Sequence, residues 1–240
     1  MNQTWRKAVA LISLLIFPVT INFFSPYVSI DGAFQGIVSG SVLLFGVMLV
    51  TAIFFRRTWC STICPNATLS DVLEGINGKR VNRIPLRWIR LGIFTVWFGV
   101  LVMGFVMAGG IVKIDPWHLT ESGISVDEPM KYITYFMVLG TLGLVTALVG
   151  KRGSCHAICW MSPFLVAGTW IGEKLNLPQY QIHSKPEVCI ACKRCTTVCP
   201  MSLDVHRELL IGKIRSTDCI TCGRCVDVCP KAVLKAGFKR

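Results

Sequence analysis

Charged residues are scarce in this chain. They make up 16% of its 240 residues, whereas ordinary soluble domains carry about 25%. This shortage argues against a soluble globular protein, and a hydrophobic content of 52% indicates a membrane protein instead. Acidic residues are the rarer sign, with 13 against 25 Lys and Arg, which gives a net charge of +12. Basic repeats interleaved with aromatic residues are absent, so this charge does not indicate nucleic acid, and no nucleic-acid partner is expected.

Four stretches of the sequence lack any charged residue. They are residues 8–24, 36–55, 91–112 and 132–150. Each is close to the roughly 20 residues that a helix needs to cross a hydrocarbon layer. They predict a mainly α membrane protein built on a four-helix transmembrane bundle in residues 1–180. A cleaved signal peptide is the alternative for the first stretch, although Phe17-Pro18 and Asn22-Phe23-Phe24 are unlike a small-residue cleavage site.

Lys and Arg are concentrated on one side of the predicted spans. The loop between the second and third spans holds Arg56, Arg57, Lys79, Arg80, Arg83, Arg87 and Arg90, and Lys151-Arg152 follow the fourth. The positive-inside rule then places both termini and the polar end of the chain in the cytoplasm of a prokaryotic cell, with the spans in the lipid of its inner membrane. A reducing cytoplasm disfavours structural disulfides, so cysteine clusters there are expected to be metal ligands or redox groups.

The end of the chain contains the same cysteine spacing twice. "CIACKRCTTVCP" begins at Cys189 and "CITCGRCVDVCP" begins at Cys219, and both follow C-x2-C-x2-C-x3-C-P. In this spacing three cysteines of a run bind one [4Fe–4S] cluster and the fourth binds the other. Paired zinc sites are the alternative, but two runs of four cysteines ending in Pro favour iron–sulfur clusters. The predicted ligand sets are Cys189, Cys192, Cys195 and Cys229 for one cluster, and Cys199, Cys219, Cys222 and Cys225 for the other. Residues 181–240 are therefore predicted to form a bacterial ferredoxin-like α+β domain with two [4Fe–4S] clusters.

Four further cysteines form two Cys-x3-Cys pairs, Cys60 with Cys64 and Cys155 with Cys159. Each pair follows a predicted span and a basic pair, and precedes a short apolar segment of interfacial or re-entrant character. The two halves therefore resemble a repeat whose packing would bring the four thiols together at the cytoplasmic face. Three interpretations stay open: a third iron–sulfur or other metal centre, a redox-active dithiol, and reduced thiols that only pack.

The motifs "WCSTICP" and "SCHAICWMSP", together with the two-cluster end, resemble the NapH/NosR-type membrane polyferredoxins over nearly the whole chain. Cys60, Cys64 and Pro65 match that family's C-x3-C-P. The second copy departs from it, because Trp160 follows Cys159. The resemblance implies a membrane component of a quinol dehydrogenase, which takes electrons from menaquinol or ubiquinol and passes them through its clusters to other redox subunits.

Two regions are candidates for the apolar slot with a few polar groups that quinone binding requires. The connection between the third and fourth predicted spans, on the side opposite the basic loops, offers Asp115, Trp117, His118 and Glu121. Their carboxylates and imidazole suit proton release. The second region lies beside the Cys-x3-Cys pairs and offers Trp59 and Trp160. Two other functions stay open: a wiring subunit of a larger oxidoreductase complex that never binds quinone, and a redox sensor or maturation factor.

Overall fold

The computed structural model describes residues 2–120 and 124–239 of the chain, with the side chains of all of these except residue 239. Residues 2–178, termed the helical region, are almost entirely helical, and residues 179–239, termed the tail, combine short helices with a sheet. The helices of the helical region are α1 (Gln3–Leu15), α2 (Phe17–Thr20), α3 (Pro26–Phe34), α4 (Gly40–Phe55), α5 (Trp59–Thr62), α6 (Asn66–Leu73), α7 (Arg83–Met107), α8 (Pro129–Val149), α9 (Gly153–Ala157) and α10 (Ser162–Lys174). Those of the tail are α11 (Arg194–Thr197), α12 (Val205–Leu209) and α13 (Arg224–Asp227). Short 3-10 helices cover Ile21–Phe24 and Pro186–Val188.

Among the described residues, two helices are long and apolar enough to cross a membrane, α7 with 25 residues and α8 with 21. A third span results only if α1 and the segment Phe17–Phe24 are counted together, and these are bent by 61° relative to each other. Helix α4 is apolar but has 16 residues, fewer than the roughly 20 of a full span. The structure thus supports a membrane protein with two or three apolar spans, and the predicted four-helix transmembrane bundle is not confirmed.

The predicted span ends differ from the observed helix ends for local reasons. The first predicted span is interrupted at Ile16, because Pro18 lies in the first turn of α2 and cannot continue a preceding helix. The second span was expected from Gly36, but α4 begins at Gly40. Gly36 has a left-handed φ of +69°, and the strand β1 (Ile37–Ser39) follows it. This strand pairs in parallel with β2 (Lys113–Asp115), which lies in the connection between α7 and α8.

The short apolar segment expected near residues 160–172 forms α10, which packs along α4. Two glycines one turn apart permit this close contact. A Cβ added to Gly168 would lie 2.3 Å from the Leu49 carbonyl oxygen, and one added to Gly172 would lie 2.3 Å from that of Ile53. Small residues spaced by four bring helix backbones together in membrane proteins. This glycine pair was not predicted from the sequence.

The tail has a two-stranded antiparallel sheet in which β3 (Gln179–Ser184) pairs with β4 (Leu234–Lys239). This sheet joins the beginning and the end of the tail, so β3 starts two residues before the domain boundary predicted at residue 181. The core beneath the sheet combines aliphatic side chains with cysteines. Its most buried aliphatic members are Ile182, Met201, Leu203, Val205, Leu209, Ile214, Ile220 and Leu234. The arrangement agrees with the predicted ferredoxin-like α+β domain.

Buried arginines join the helical region to the tail. Arg56, Arg57 and Arg90 are each at most 3% exposed, and each hydrogen-bonds to a tail residue. Arg56 pairs with Glu173 at 2.6 Å and donates to the Ser216 carbonyl of the tail at 3.1 Å. These residues, which the sequence suggested only as signals of membrane orientation, are also structural contacts. Removing one partner of a buried ion pair typically costs about 3–5 kcal/mol, so these contacts fix the position of the tail.

Candidate iron–sulfur sites and the adjoining cavity

The eight cysteines of the tail lie around two separate small cavities. Cys189, Cys192, Cys195 and Cys229 line one of them, here termed the outer set. Cys199, Cys219, Cys222 and Cys225 line the other, here termed the inner set. Each set therefore combines three cysteines from one run with the fourth cysteine of the other run. The structure brings together the same residues that the spacing assigns to each cluster.

The loops that carry these cysteines have the same backbone conformation in both copies. Ala191 and Lys193 have left-handed φ angles of +53° and +55°, and at the equivalent positions Thr221 and Gly223 have +49° and +79°. Left-handed residues alternating with right-handed ones turn backbone N–H groups toward a common concavity that suits an anion. Non-glycine residues adopt this conformation at some cost. Its recurrence in both loops fits a cysteine-bound cluster, which carries negative charge.

Burial raises the pKa of Cys219 to about 12 and that of Cys199 to about 11. Burial also raises the pKa of Cys225, and neighbouring thiols add to this effect. These neighbours are Cys219, Cys222, Cys199 and, from the outer set, Cys195. The two sets are thus adjacent. Because metal ligation requires thiolates, cluster assembly at these buried cysteines is expected to release protons.

The four cysteines of the Cys-x3-Cys pairs lie together on one cavity of about 390 Å³. Cys60 and Cys64 come from α5 and the turn after it, and Cys155 and Cys159 come from α9 and the turn after it. Burial raises the pKa of Cys159 to about 12, with Cys155 and Cys60 contributing as neighbouring thiolates. The Asn66 side chain lies 3.3 Å from the Cys155 Sγ and could donate a hydrogen bond to it. The predicted convergence of the two pairs is therefore present in the structure.

Two guanidinium groups accompany this four-cysteine site. Arg57 Nη2 lies 4.0 Å from the Cys60 Sγ, and Arg152 Nη1 donates to the Cys60 carbonyl at 2.8 Å. Burial would lower the pKa of Arg152, but the negative groups around it raise that pKa on balance. These groups are Cys155, Asp71, Cys222 and Cys60. Cys60 packs against the cores of both the helical region and the tail.

All twelve cysteines are free of disulfides. Within residues 2–120 and 124–239, no group of three or more His, Cys, Asp or Glu side chains is arranged to hold a single metal ion. A [4Fe–4S] cluster presents a separate iron to each cysteine ligand. Its four ligands therefore surround the cluster and do not converge on one point.

The cavity at the four-cysteine site extends into the helical region. Along α8 its lining runs from Lys131 to Leu142, a distance of about 17 Å at 1.5 Å per residue. Its walls are mainly apolar, and a few polar residues lie near Lys131. The lining contains Phe17, Ile21, Asn22, Phe24, Met48, Trp59, Ser125, Tyr135, Leu139, Trp160 and Leu165, among others. The buried indole N–H of Trp160 has no hydrogen-bond partner in the described structure. An elongated apolar slot with an available donor suits a quinone headgroup and the start of its tail.

The structure separates the two groups of residues predicted to contact quinone. Trp59 and Trp160 line the cavity, whereas Asp115, Trp117 and His118 do not. His118 Nε2 lies 2.8 Å from an Asp31 carboxylate oxygen, and the Asp115 carboxylate pairs with Lys113 at 2.9 Å. The Trp117 ring packs edge-on against Phe23. Glu121 lies outside the described residues.

Two family models match parts of this chain. A 4Fe-4S dicluster domain matches residues 181–230, so the predicted iron–sulfur domain at the end of the chain is confirmed. A 4Fe-4S binding domain matches residues 37–83, a segment that contains Cys60 and Cys64.

Three curated relatives are each 24% identical to the chain. YccM of Escherichia coli strain K12, to which electron transport is ascribed, matches over 80% of this chain and 54% of its own length. Protein RdxA of Cereibacter sphaeroides matches over 62% of this chain and 36% of its own. The nitrogen fixation protein FixG of Rhizobium meliloti matches over 67% and 36%, respectively. The chain thus spans about half or less of the length of these relatives. No solved structure matches it.

Proposed function

We propose that this chain, a member of a membrane polyferredoxin family, conducts electrons between quinol in its cavity and a redox partner at its tail. The resemblance found in the sequence is confirmed at the level of that family. The proposal rests on where the four cysteines of the Cys-x3-Cys pairs lie. Cys60, Cys64, Cys155 and Cys159 line the apolar cavity, while Cys60 also packs against the tail core that contains the inner set. The cavity and the three groups of cysteines thus form a continuous route.

In this proposal the outer and inner sets each hold one [4Fe–4S] cluster, and the four-cysteine site holds a third. When bound, such a cluster supplies one-electron transfer. The left-handed loop residues direct backbone N–H groups toward each tail cluster, and the apolar core excludes water from the inner one. Arg57 and Arg152 supply positive charge near Cys60 to balance an anionic third centre. The 4Fe-4S binding-domain match over Cys60 and Cys64 supports this third site.

The cavity residues position quinol for oxidation, which releases two electrons and two protons. The Trp160 indole N–H is the proposed donor to a quinone oxygen near the four cysteines. The electrons would leave singly through centres held by the cysteines, and the two protons would be released to water. In the proposed orientation the bent α1–Phe24 segment, α4, α7 and α8 all cross a prokaryotic inner membrane, and the tail and both ends of the chain face the cytoplasm.

Reduction of the purified chain by quinol tests this function. Chain prepared anaerobically is mixed with a short-tailed menaquinol, and the clusters are followed by EPR, with dithionite as the reference reductant. We expect the menaquinol to reduce a substantial fraction of the centres without any other subunit. If dithionite reduces the clusters and menaquinol does not, the quinol step is wrong and the chain is a wiring subunit.

Iron and acid-labile sulfide analysis tests the number of centres. Three [4Fe–4S] clusters require about twelve irons per chain, whereas the two tail clusters alone require about eight. A value near eight in fully assembled protein would exclude the third cluster and leave the tail clusters unaffected.

A further inference from the structure

The two cysteine loops of the tail are alike in sequence and backbone but opposite in exposure. Residues 190–194, here termed the outer loop of the tail, correspond to residues 220–224, the inner loop. Ile190 is 57% exposed, whereas its counterpart Ile220 is 2% exposed. Cys192 is likewise exposed, whereas Cys222 is buried. Because the two loops share one conformation, this difference reflects what covers the inner loop.

The helical region covers the inner loop through four polar contacts. Thr58 Oγ1 lies 2.6 Å from Thr221 Oγ1, and Gln3 Nε2 donates to the Cys222 carbonyl at 2.7 Å. Arg224 pairs with Asp71 at 3.0 Å and also with Glu74. Asp71 lies in the last turn of α6, and Glu74 is the residue that directly follows this helix. The acidic end of α6 thus binds the inner loop through Arg224, the residue that follows the left-handed Gly223.

The outer loop presents equivalent groups that have no ion-pair partner. Arg194 is the counterpart of Arg224, and Lys193 precedes it. Both are exposed, and neither forms a salt bridge with any residue in the part of the chain that the structure describes. Exposed Val188 and Ile190 add an apolar rim. Nearby exposed charges are Lys185, Lys231, Glu187 and Asp227, so positive charge predominates.

We propose that the outer loop is the surface where electrons pass to or from an acidic redox protein, which presents two carboxylates about one helical turn apart to Lys193 and Arg194. This inference rests on the proposed electron-transfer function and names the partner surface for it. The partner's apolar surface would pack on Val188 and Ile190, close to the exposed ligand Cys192. In the transfer, one electron moves between the outer-set cluster and the partner's centre, so that one is oxidised as the other is reduced and no proton is required.

The contact between the helical region and the inner loop indicates how this partner would bind the outer loop. It shows that a carboxylate pair at a helix end satisfies the arginine of such a loop. Charge complementarity of this kind raises association rates and makes them sensitive to salt. Charge at the outer loop should therefore control the rate of transfer to an acidic protein.

The test uses the full cluster-loaded chain, reduced with dithionite so that quinol plays no part. Electron transfer is timed by stopped flow to an acidic flavodoxin and, for comparison, to a basic cytochrome c. Lys193→Gly removes one charge and keeps the left-handed φ, as Gly223 does in the inner loop. Arg194→Glu reverses the other. Matched controls are Arg207→Glu and Lys235→Glu, at exposed tail positions outside residues 190–194.

We expect Arg194→Glu to slow transfer to flavodoxin by about tenfold or more at low salt, and Lys193→Gly to slow it less. Both controls should leave the rate within about twofold of the wild-type rate. Iron content, EPR spectra and reduction by menaquinol should stay unchanged in Arg194→Glu and in both controls. These readouts separate loss of docking from cluster loss and from failure of the quinol step.

Two results would overturn the inference. One is equal slowing by loop and control variants, or slowing of transfer to cytochrome c by Arg194→Glu that is as large as the slowing of transfer to flavodoxin. The other is an unchanged flavodoxin rate in Arg194→Glu together with lost binding of the chain's tail face to phosphatidylglycerol vesicles. That second result would identify the outer loop as a lipid contact.

Discussion

Arg57 donates a hydrogen bond to Asp218 at 3.0 Å, and both side chains are buried. Arg57 precedes Cys60 by three residues, and Asp218 directly precedes Cys219. Asp218 also pairs with Arg90 at 3.3 Å and with Arg83 at 3.5 Å. One carboxylate of the tail thus forms ion pairs with three guanidinium groups of the helical region. These ion pairs hold the four-cysteine site against the inner set.

Replacing this carboxylate should loosen the tail. Asp218→Asn leaves Arg57 and Arg90 buried without a counter-charge, at an expected cost of about 3–5 kcal/mol. Hydrogen exchange of residues 216–226 should become faster, and clusters should be lost more readily on heating. Asp227→Asn, at an exposed position of the same tail, is the control and should exchange like the wild type. Equal protection in both variants would contradict a structural role for the ion pair.

The contribution of Asp218 should be independent of pH near neutrality. Burial alone would raise its pKa, but Arg57 and Arg90 outweigh burial and hold it at about 2. A lowered folded-state pKa stabilises the protein above the unfolded value of about 3.9, and this contribution is lost only as pH falls through about 2. Burial also lowers the pKa of His156 to about 3, so that neighbour is neutral. The exchange difference between wild type and Asp218→Asn should therefore be the same at pH 6 and pH 9. A difference that grows at pH 6 would show that His156 titrates there.

Paired cysteine substitutions should separate the two tail clusters. Cys199→Ser combined with Cys225→Ser removes two ligands of the inner set, so about four irons should be lost per chain. Cys199→Ser combined with Cys195→Ser removes one ligand from each set, and about eight irons should be lost. Iron analysis with EPR provides the measurement. The reverse order of losses would mean that each run of four cysteines binds its own cluster.

Filling the cavity should block quinol and spare the clusters. Leu142 lines the cavity, whereas Leu144, on the same helix, is 60% exposed. We expect Leu142→Trp to slow menaquinol reduction of the clusters by about tenfold or more, because the larger ring occupies the slot. Leu144→Trp should have little effect, and dithionite should reduce both variants fully. If the two variants behave alike with menaquinol, quinol binds elsewhere.

Arg152 should raise the reduction potential of the inner-set cluster. Its buried positive charge lies near Cys222, and reduction adds negative charge to the cluster, which a nearby cation favours. Arg152→Gln should therefore lower the midpoint potential in EPR-monitored redox titrations, and Arg152→Lys should restore most of it. Arg80→Gln, which loses contacts to the Ser202 and Leu203 carbonyls, is the control. A potential lowered equally by Arg152→Lys would indicate a geometric effect and not one of charge.

The sequence predicted those features that depend on short-range spacing. The crossed grouping of Cys199 with Cys219 follows from spacing within each run, and the convergence of Cys60 with Cys155 follows from the order of the two repeats. Features that depend on distant contacts were missed. Nothing local to Arg57 or Arg90 reveals that Asp218 lies against them. The different exposure of Ile190 and Ile220 likewise arises only from the docking of the helical region. Pro18 explains locally why α1 ends before the end of the first predicted span. The start of α4 after the start of the second predicted span depends instead on the pairing of β1 with β2.

The contact of α10 with α4 has a consequence for the tail. A Cβ at Gly172 would lie 2.2 Å from the Gln179 side-chain amide as well as against the α4 backbone, and Gln179 is the first residue of β3. The same amide donates to the Ile53 carbonyl at 2.8 Å. One methyl group at this crossing would therefore displace the sheet that closes the iron–sulfur domain. The spacing between two membrane-side helices thus sets the alignment of redox centres in a different part of the molecule.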